Sequence, residues 1–302
     1  MKRLFVFIVV ITLCVQFASA SRYDDMLAEM RQLTQNHPEY IEMMDIGKND
    51  QKKIIYGLKV KNPDYTRENG KKPNQLLVGC HHGNEGLSAD VCIVFVNDLI
   101  DIFKSPSHPR YAAISKSVFY VIPVLNISGY DRNNRREKDK NGRYHDPNRD
   151  YPDPCANNSY YKLESTKNLA KFVKQKDIVG AVTTHGYIGT FTYPWGMNTD
   201  NTHTNDHSIY NNIAKQAVAA NGYMIGTHAD AIYPASGSFE DWAYHAYGVW
   251  VMLLEHDYGA NLDKDSECLI IFFALIPDKQ SQNHEHNSSF CRASREDAPS
   301  RP

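Results

Sequence analysis

The chain has 302 residues, 42% of them hydrophobic, and a formal net charge of −2. That length supports one large globular domain with a substantial core. The near-neutral balance gives no ground for nucleic-acid binding, which rests on clustered Lys and Arg; the one basic run, Arg132 to Arg143, is mixed with Asp and Asn.

In chain order, the first feature is "MKRLFVFIVVITLCVQFASA". Lys2 and Arg3, an apolar run and then Ala18-Ser19-Ala20 have the order of a secretory signal peptide. The apolar run from Leu4 to Phe17 is short for a bilayer span of about 20 residues. Cleavage after residue 20, no stable membrane anchor, and a secreted or periplasmic product are therefore expected. Residues 22–36 carry Met26, Leu27, Met30 and Leu33 at helical spacing. "YIEMMDIG" and "KKIIYGLKV" predict two strands joined by a polar turn at Asn49 and Asp50. "NQLLVGC" predicts a buried strand running into His81 and His82. A helix over 85–103 follows, then a second buried strand, "SVFYVIPVLN", that ends in a polar segment over 126–156. A helix over 160–176 precedes the strand "IVGAVTTHG", which ends at His185. A helix over 208–220 precedes the strand "VWVMLLEHD", which ends at Glu255. A last helix over 265–276, poorly amphipathic, is stopped by Pro277. Residues 21–277 form the expected domain, and the polar, aperiodic tail 278–302 is expected to be mobile.

Alternating strands and helices with buried apolar strands predict an α/β fold: a mixed, mostly parallel twisted sheet sandwiched between helices. His82, Asn126, His185 and Glu255 all fall just past strand ends, where ligands bind in open α/β sheets.

Three residues, two of them among these positions, suggest a metal. His82 and Glu85, spaced i and i+3 on a turn leaving a strand, can face one ion. His185 after its own strand would complete a His2Glu set, as in zinc peptidases. In "DPNRDYP", the Arg149 guanidinium offers a fork for a carboxylate beside Asn148. Asp146 offers an acceptor for a metal-bound His. In "YPASGSFEDW", Tyr233 offers a phenol, and Ser236-Gly237 an uncrowded, flexible wall. Glu255 ends an apolar strand, so its pKa is open to upward tuning. His81 is expected to pack behind the site, and Cys80 to point into the core. The glycines of "GCHHGNEG" are expected to turn the chain off its strand. Past Cys14, the five remaining cysteines (Cys80, Cys92, Cys155, Cys268 and Cys291) set no pairing. Asn126, Asn157 and Asn287 lie in glycosylation sequons.

Taken in this order, from about Leu76 to Glu255, these motifs resemble the zinc carboxypeptidase family, the carboxypeptidase A/B-like metallopeptidases. "HGNE", "GYDRNNRRE…DPNRDYP", "THGY", "YPASGSFEDW" and "LLEHD" carry the likeness. The resemblance implies zinc held by His82, Glu85 and His185. It implies a free C-terminal carboxylate held by Asn148 and Arg149, with Tyr233 closing over the substrate. Glu255 would be the general base that takes a proton from a zinc-activated water. A family arginine polarises the scissile carbonyl; Arg135 and Arg136 both qualify, and Arg135 is favoured. Aligned on Tyr233 and Trp242, Glu240 falls at the base of the side-chain pocket and implies a preference for basic residues. The implied protein is a zinc-dependent exopeptidase acting on peptide or protein C-termini; nothing in the sequence sets its oligomeric state. Digestive members carry a folded pro-domain. Only about 60 residues separate the expected cleavage point from His82, so an enzyme made without zymogen processing is expected. One alternative is a zinc amidase on cell-wall peptides, which shares "HGNE". The tyrosine loop argues against an acylamino-acid deacylase. The complete ligand set with Glu255 argues against a non-catalytic binding module.

Overall fold

The computed structural model describes residues 21–65, 73–155, 160–197 and 203–277. The expected leader at 1–20, the expected tail at 278–302 and the sequons at Asn157 and Asn287 lie outside the described residues.

Helix α1 (Arg22–Asn36) starts on a capping box, in which Ser21 and Asp24 each accept the other's backbone N–H. It buries Tyr23, Met26, Leu27 and Met30 on one stripe, as helical spacing requires. Strands β1 (Ile41–Lys48) and β2 (Ile54–Lys61) form an antiparallel pair. Then come β3 (Asn74–Val78), α2 (Leu87–Lys104), the short α3 (Tyr111–Ile114), β4 (Val118–Ile122) and the short α4 (Ile127–Arg132). A small hairpin, β5 (Glu137–Lys138) and β6 (Tyr144–His145), leads to α5 (Glu164–Lys176) and β7 (Ile178–Gly186). The rest runs β8 (Thr190–Tyr193), α6 (His207–Ala217), β9 (Met224–Thr227), α7 (His228–Ala231), α8 (Phe239–Tyr247), β10 (Trp250–His256) and α9 (Leu262–Leu275).

Eight strands make one sheet in the order β1-β2-β4-β3-β7-β10-β8-β9. The central strands β4, β3, β7 and β10 are parallel, and β8 runs antiparallel to β10. This is the expected mixed α/β sheet. Its helices cover both faces, as two neighbouring residues of β4 demonstrate. Phe119 packs on Phe95 of α2 and Phe273 of α9, with ring centroids 5.7 and 5.5 Å away. Tyr120, pointing the other way because side chains alternate along a strand, meets Phe172 of α5 edge-on at 5.2 Å.

Some expectations change. The helix expected over 160–176 starts only at Glu164, because the Asp150 carboxylate accepts the Lys162 and Leu163 N–H groups and holds the lead-in extended. The last helix starts at Leu262, where the Asn261 side chain caps it. It is poorly amphipathic because Cys268 through Phe273 are all buried, with α2, α3 and α6 around them. Strands β8 and β9 have four residues each and carry no usable period; they exist because β10 pairs with β8, and β8 with β9. Asn126 is fully buried as the N-cap of α4, so its sequon is not an accessible one.

Candidate active site

The parallel register of β7 and β10 sets His185 opposite Glu255 and Thr183 opposite Leu253. On the other side of β10, Thr190 lies opposite Glu255 and Thr192 opposite Leu253. Residues two apart on a strand share a face. One face of the sheet therefore carries the row His185–Glu255–Thr190. The row Thr183–Leu253–Thr192 lies about 7 Å away on the same face. Thr184 points to the opposite face and donates to the Ser88 carbonyl of α2.

The chain leaves β3 after Val78, two residues earlier than expected. Asn126 N–H donates to the Cys80 carbonyl, lacing this exit to the end of β4. The turn itself is made by Cys80, at φ +48°, and not by its flanking glycines. Gly83 serves close approach instead: a Cβ there would lie 2.1 Å from the Gly129 carbonyl carbon. The Cys80 thiol is buried, as expected, and donates to the Glu85 carbonyl at 3.4 Å.

This exit brings His82 and Glu85 up to His185. His82 Nδ1 lies 2.8 Å from Glu85 Oε1, His185 Nδ1 lies 3.0 Å from Glu85 Oε2, and the two Nδ1 atoms are 3.0 Å apart. All three side chains are buried. His82 Nε2 donates to Asp146 Oδ1 at 3.0 Å. A carboxylate only accepts, so the Nε2 position carries the proton and the Nδ1 lone pair is left for a metal. The ligand atoms of a tetrahedral zinc stand about 3.3 Å apart, so this cluster accepts the ion with a small outward shift. Burial works against ionisation of Glu85. Hydrogen bonds and charge from His185 and His82 outweigh it and hold that carboxyl at about 2. Asp146 is half-buried, which works against ionisation, yet His82, Arg135 and Arg149 hold it well below the usual carboxylate range.

Around the cluster stand the other predicted residues. Arg135 donates from Nε to Asp146 Oδ2 at 3.0 Å, with Nη1 3.5 Å from Glu85 Oε1. Asn148 Oδ1 accepts the Phe239 N–H at 2.8 Å, which turns Nδ2 to donate to Glu240 Oε2 at 3.3 Å. Arg149 donates to its neighbour's carbonyl and, at 3.2 Å, to the Tyr233 hydroxyl. Tyr233 is 46% exposed. Glu255 is half-buried, and its Oε2 has no hydrogen-bond partner among the described residues. Burial raises its pKa, more than the neighbouring His185 lowers it.

The zinc carboxypeptidase family pattern matches residues 26–282. The chain belongs to the zinc carboxypeptidase family. It is 28% identical over 257 residues to zinc carboxypeptidase A 1 of Anopheles gambiae, covering 75% of this chain and 57% of that protein. It is 26% identical to carboxypeptidase B of Canis lupus familiaris, over 74% of this chain and 60% of the relative. The chain thus spans about three fifths of the length of these curated relatives. Thrombin activatable fibrinolysis inhibitor shares the fold, with a TM-score of 0.71 at 20% identity over 83% of this chain and 73% of that one. The carboxypeptidase A of Helicoverpa armigera does so at 0.64 and 15%, over 84% of this chain and 70% of that one.

Among zinc carboxypeptidase residues expected from sequence, the structure gathers His82, Glu85, His185, Asp146, Arg135, Asn148, Arg149, Tyr233, Glu240 and Glu255 at one end of the sheet. Arg136 is not among them: it is exposed, and among the described residues only its backbone N–H is tied down, to Asn134. Ser236-Gly237 is not an uncrowded wall. Gly237 is buried at φ +77°, and a Cβ there would come within 2.8 Å of the Arg149 carbonyl oxygen. His81 packs behind the cluster as expected, 5.7 Å from the His185 ring and hydrogen-bonded to the Tyr151 hydroxyl. Two residues gain roles that the sequence reading did not assign. Asn126 Nδ2 donates to the carbonyls of both His81 and Arg135, joining the ligand loop to the arginine segment. Thr183 donates to Glu240; its position two residues before His185 was the available signal.

The Asp146 bond to His82 has a measurable consequence. Asp146→Asn is expected to weaken zinc binding by about 10–100-fold, as read in a competition titration against a chelator of known affinity. Unchanged affinity would show that Asp146 does not orient the ligand.

Proposed function

We propose that this chain is a zinc-dependent exopeptidase that releases C-terminal residues from peptides, with a preference for basic ones. The observation that carries this reading is the convergence of a His2Glu cluster, a half-buried carboxylate and an arginine–asparagine pair at one end of the sheet. Zinc bound there supplies a Lewis acid that makes water nucleophilic near neutral pH.

Glu255 is the base. Its orphaned oxygen and raised pKa suit a group that takes a proton in one step and returns it to the leaving amine in the next. Arg135 takes the carbonyl-polarising role, since its guanidinium lies against the ligand carboxylate and places positive charge where an oxyanion develops. Arg149 and Asn148 bind the substrate's terminal carboxylate, Arg149 through a planar fork suited to two parallel hydrogen bonds. Tyr233, exposed and tied to Arg149 by one hydrogen bond, closes over the bound residue. Glu240 keeps unused lone pairs after Thr183 and Asn148 are served, and it meets a basic side chain.

The leader at 1–20 directs export. Cys155 is disulfide-bonded, which suits an oxidising compartment. No helix among the described residues is long and apolar enough to cross a membrane.

The test compares peptides that differ only at the C-terminus. Release is expected from a free carboxylate and not from the matching amide, and faster for Arg or Lys than for Phe or Leu. Equal cleavage of the amide would overturn the exopeptidase reading. Faster release of Phe than of Arg would overturn the basic preference.

A further inference from the structure

The Thr183–Leu253–Thr192 row carries two buried polar side chains, one on each threonine. Glu240 stands on Thr183. His228, the first residue of α7, stands on the other, with Nδ1 3.5 Å from Thr192 Oγ1. Leu253, 2% exposed, lies between the threonines. The His228 ring meets the Tyr233 ring edge-on, with centroids 5.8 Å apart. On its Cδ2 side lies Gly196, where a Cβ would come within 3.2 Å. The imidazole is therefore held in place by Thr192, Tyr233 and the Gly196 backbone.

His228 is 8% exposed, and its Nε2 is buried with no hydrogen-bond partner among the described residues. Leaving a buried ring nitrogen unpaired costs folding free energy, so it marks a place where a partner is due. Burial lowers the pKa of the ring to about 4, against the pull of Glu240. At neutral pH the ring is uncharged, and one of its nitrogens is an acceptor. When Nδ1–H donates to Thr192, that acceptor is Nε2.

We infer that His228 is a specificity-determining residue of the side-chain pocket. Its Nε2 accepts one N–H of a guanidinium while Glu240 accepts another, so the pocket takes C-terminal arginine in preference to lysine. This rests on the carboxypeptidase reading above. The discrimination follows from donor geometry. A guanidinium spreads five N–H groups over a rigid plane and can serve acceptors on two walls at once. An ammonium is a compact, strongly hydrated charge; bound to Glu240, it leaves the imidazole unpaired.

The experiment uses the full zinc-loaded chain and three peptides identical except for C-terminal Arg, Lys or Phe. The wild-type protein is expected to favour Arg over Lys in kcat/KM by about 10-fold or more, the worth of one hydrogen bond to a charged group. In His228→Leu that ratio is expected to fall to near one, with the loss lying in KM for the Arg peptide. His228→Gln, which restores an acceptor, is expected to recover part of it. His228→Ala replaces the leucine variant if the latter does not fold, as judged by thermal unfolding and zinc content. An Arg-to-Lys ratio unchanged in the folded Leu or Ala variant overturns the inference and leaves the carboxypeptidase reading standing. No release of any residue by the wild-type protein overturns that reading itself.

Discussion

Glu255→Gln is expected to lower C-terminal residue release by about 10²–10⁴-fold, with zinc content unchanged. The substitution keeps the shape of a side chain flanked across the sheet by His185 and Thr190, but an amide cannot take a proton. No hydrogen bond is broken at Oε2, since that oxygen has no partner among the described residues. Stability points the same way. A carboxyl whose pKa is raised on folding binds its proton more tightly in the folded state, so its contribution declines as pH rises through that raised value. The glutamine variant is therefore expected to be no less stable than wild type at pH 7. The wild-type pH profile should carry the same signature. A base works only when ionised, so kcat/KM is expected to fall on the acid side through a pKa above the ordinary glutamate value of about 4.3. Stopped-assay rates across pH 4–8 on both proteins test this, and full activity in the variant would rule out Glu255 as the base.

Removing the metal is expected to act on stability as well as activity. A ligand bound to the native state at 100-fold its dissociation constant stabilises by about 2.7 kcal/mol. For a domain of this size that corresponds to roughly 5–10 °C in unfolding temperature. Chelation of the zinc-loaded wild type should produce a shift of this order and abolish peptide release, and added zinc should reverse both. In His185→Ala the chelator should have no effect. His185 is 1% exposed and holds one oxygen of Glu85, so its loss leaves two ligands, and zinc content should drop well below one per chain. An unfolding temperature indifferent to chelation in the wild type would mean that the His82–Glu85–His185 cluster holds no ion.

Much of this protein was legible in local patterns. The helical stripe of Met26, Leu27 and Met30 and the apolar runs of β3, β4, β7 and β10 are signals written over consecutive residues. So is the His82–Glu85 spacing, since one turn of chain carries both ligands. Shorter elements were not legible. β8, β9 and α7 have four residues each, too few to carry a period, and β8 and β9 are held by neighbours distant in sequence.

The amino-acid order by itself determined which residue types stand at strand ends, and through them the family and a candidate ligand set. Only the tertiary structure decided which of those side chains meet. It separated Arg135 from the adjacent Arg136, because one guanidinium reaches Asp146 and Glu85 while the other faces solvent. It turned Gly237 from an open wall into a packed contact. It also set Glu240 and His228 on two threonines flanking one leucine. The physical reason is that periodicity reports only which side of an element is buried. Which distant side chains meet there depends on strand order and register, and β10 lying between β7 and β8 is a property of the whole sheet.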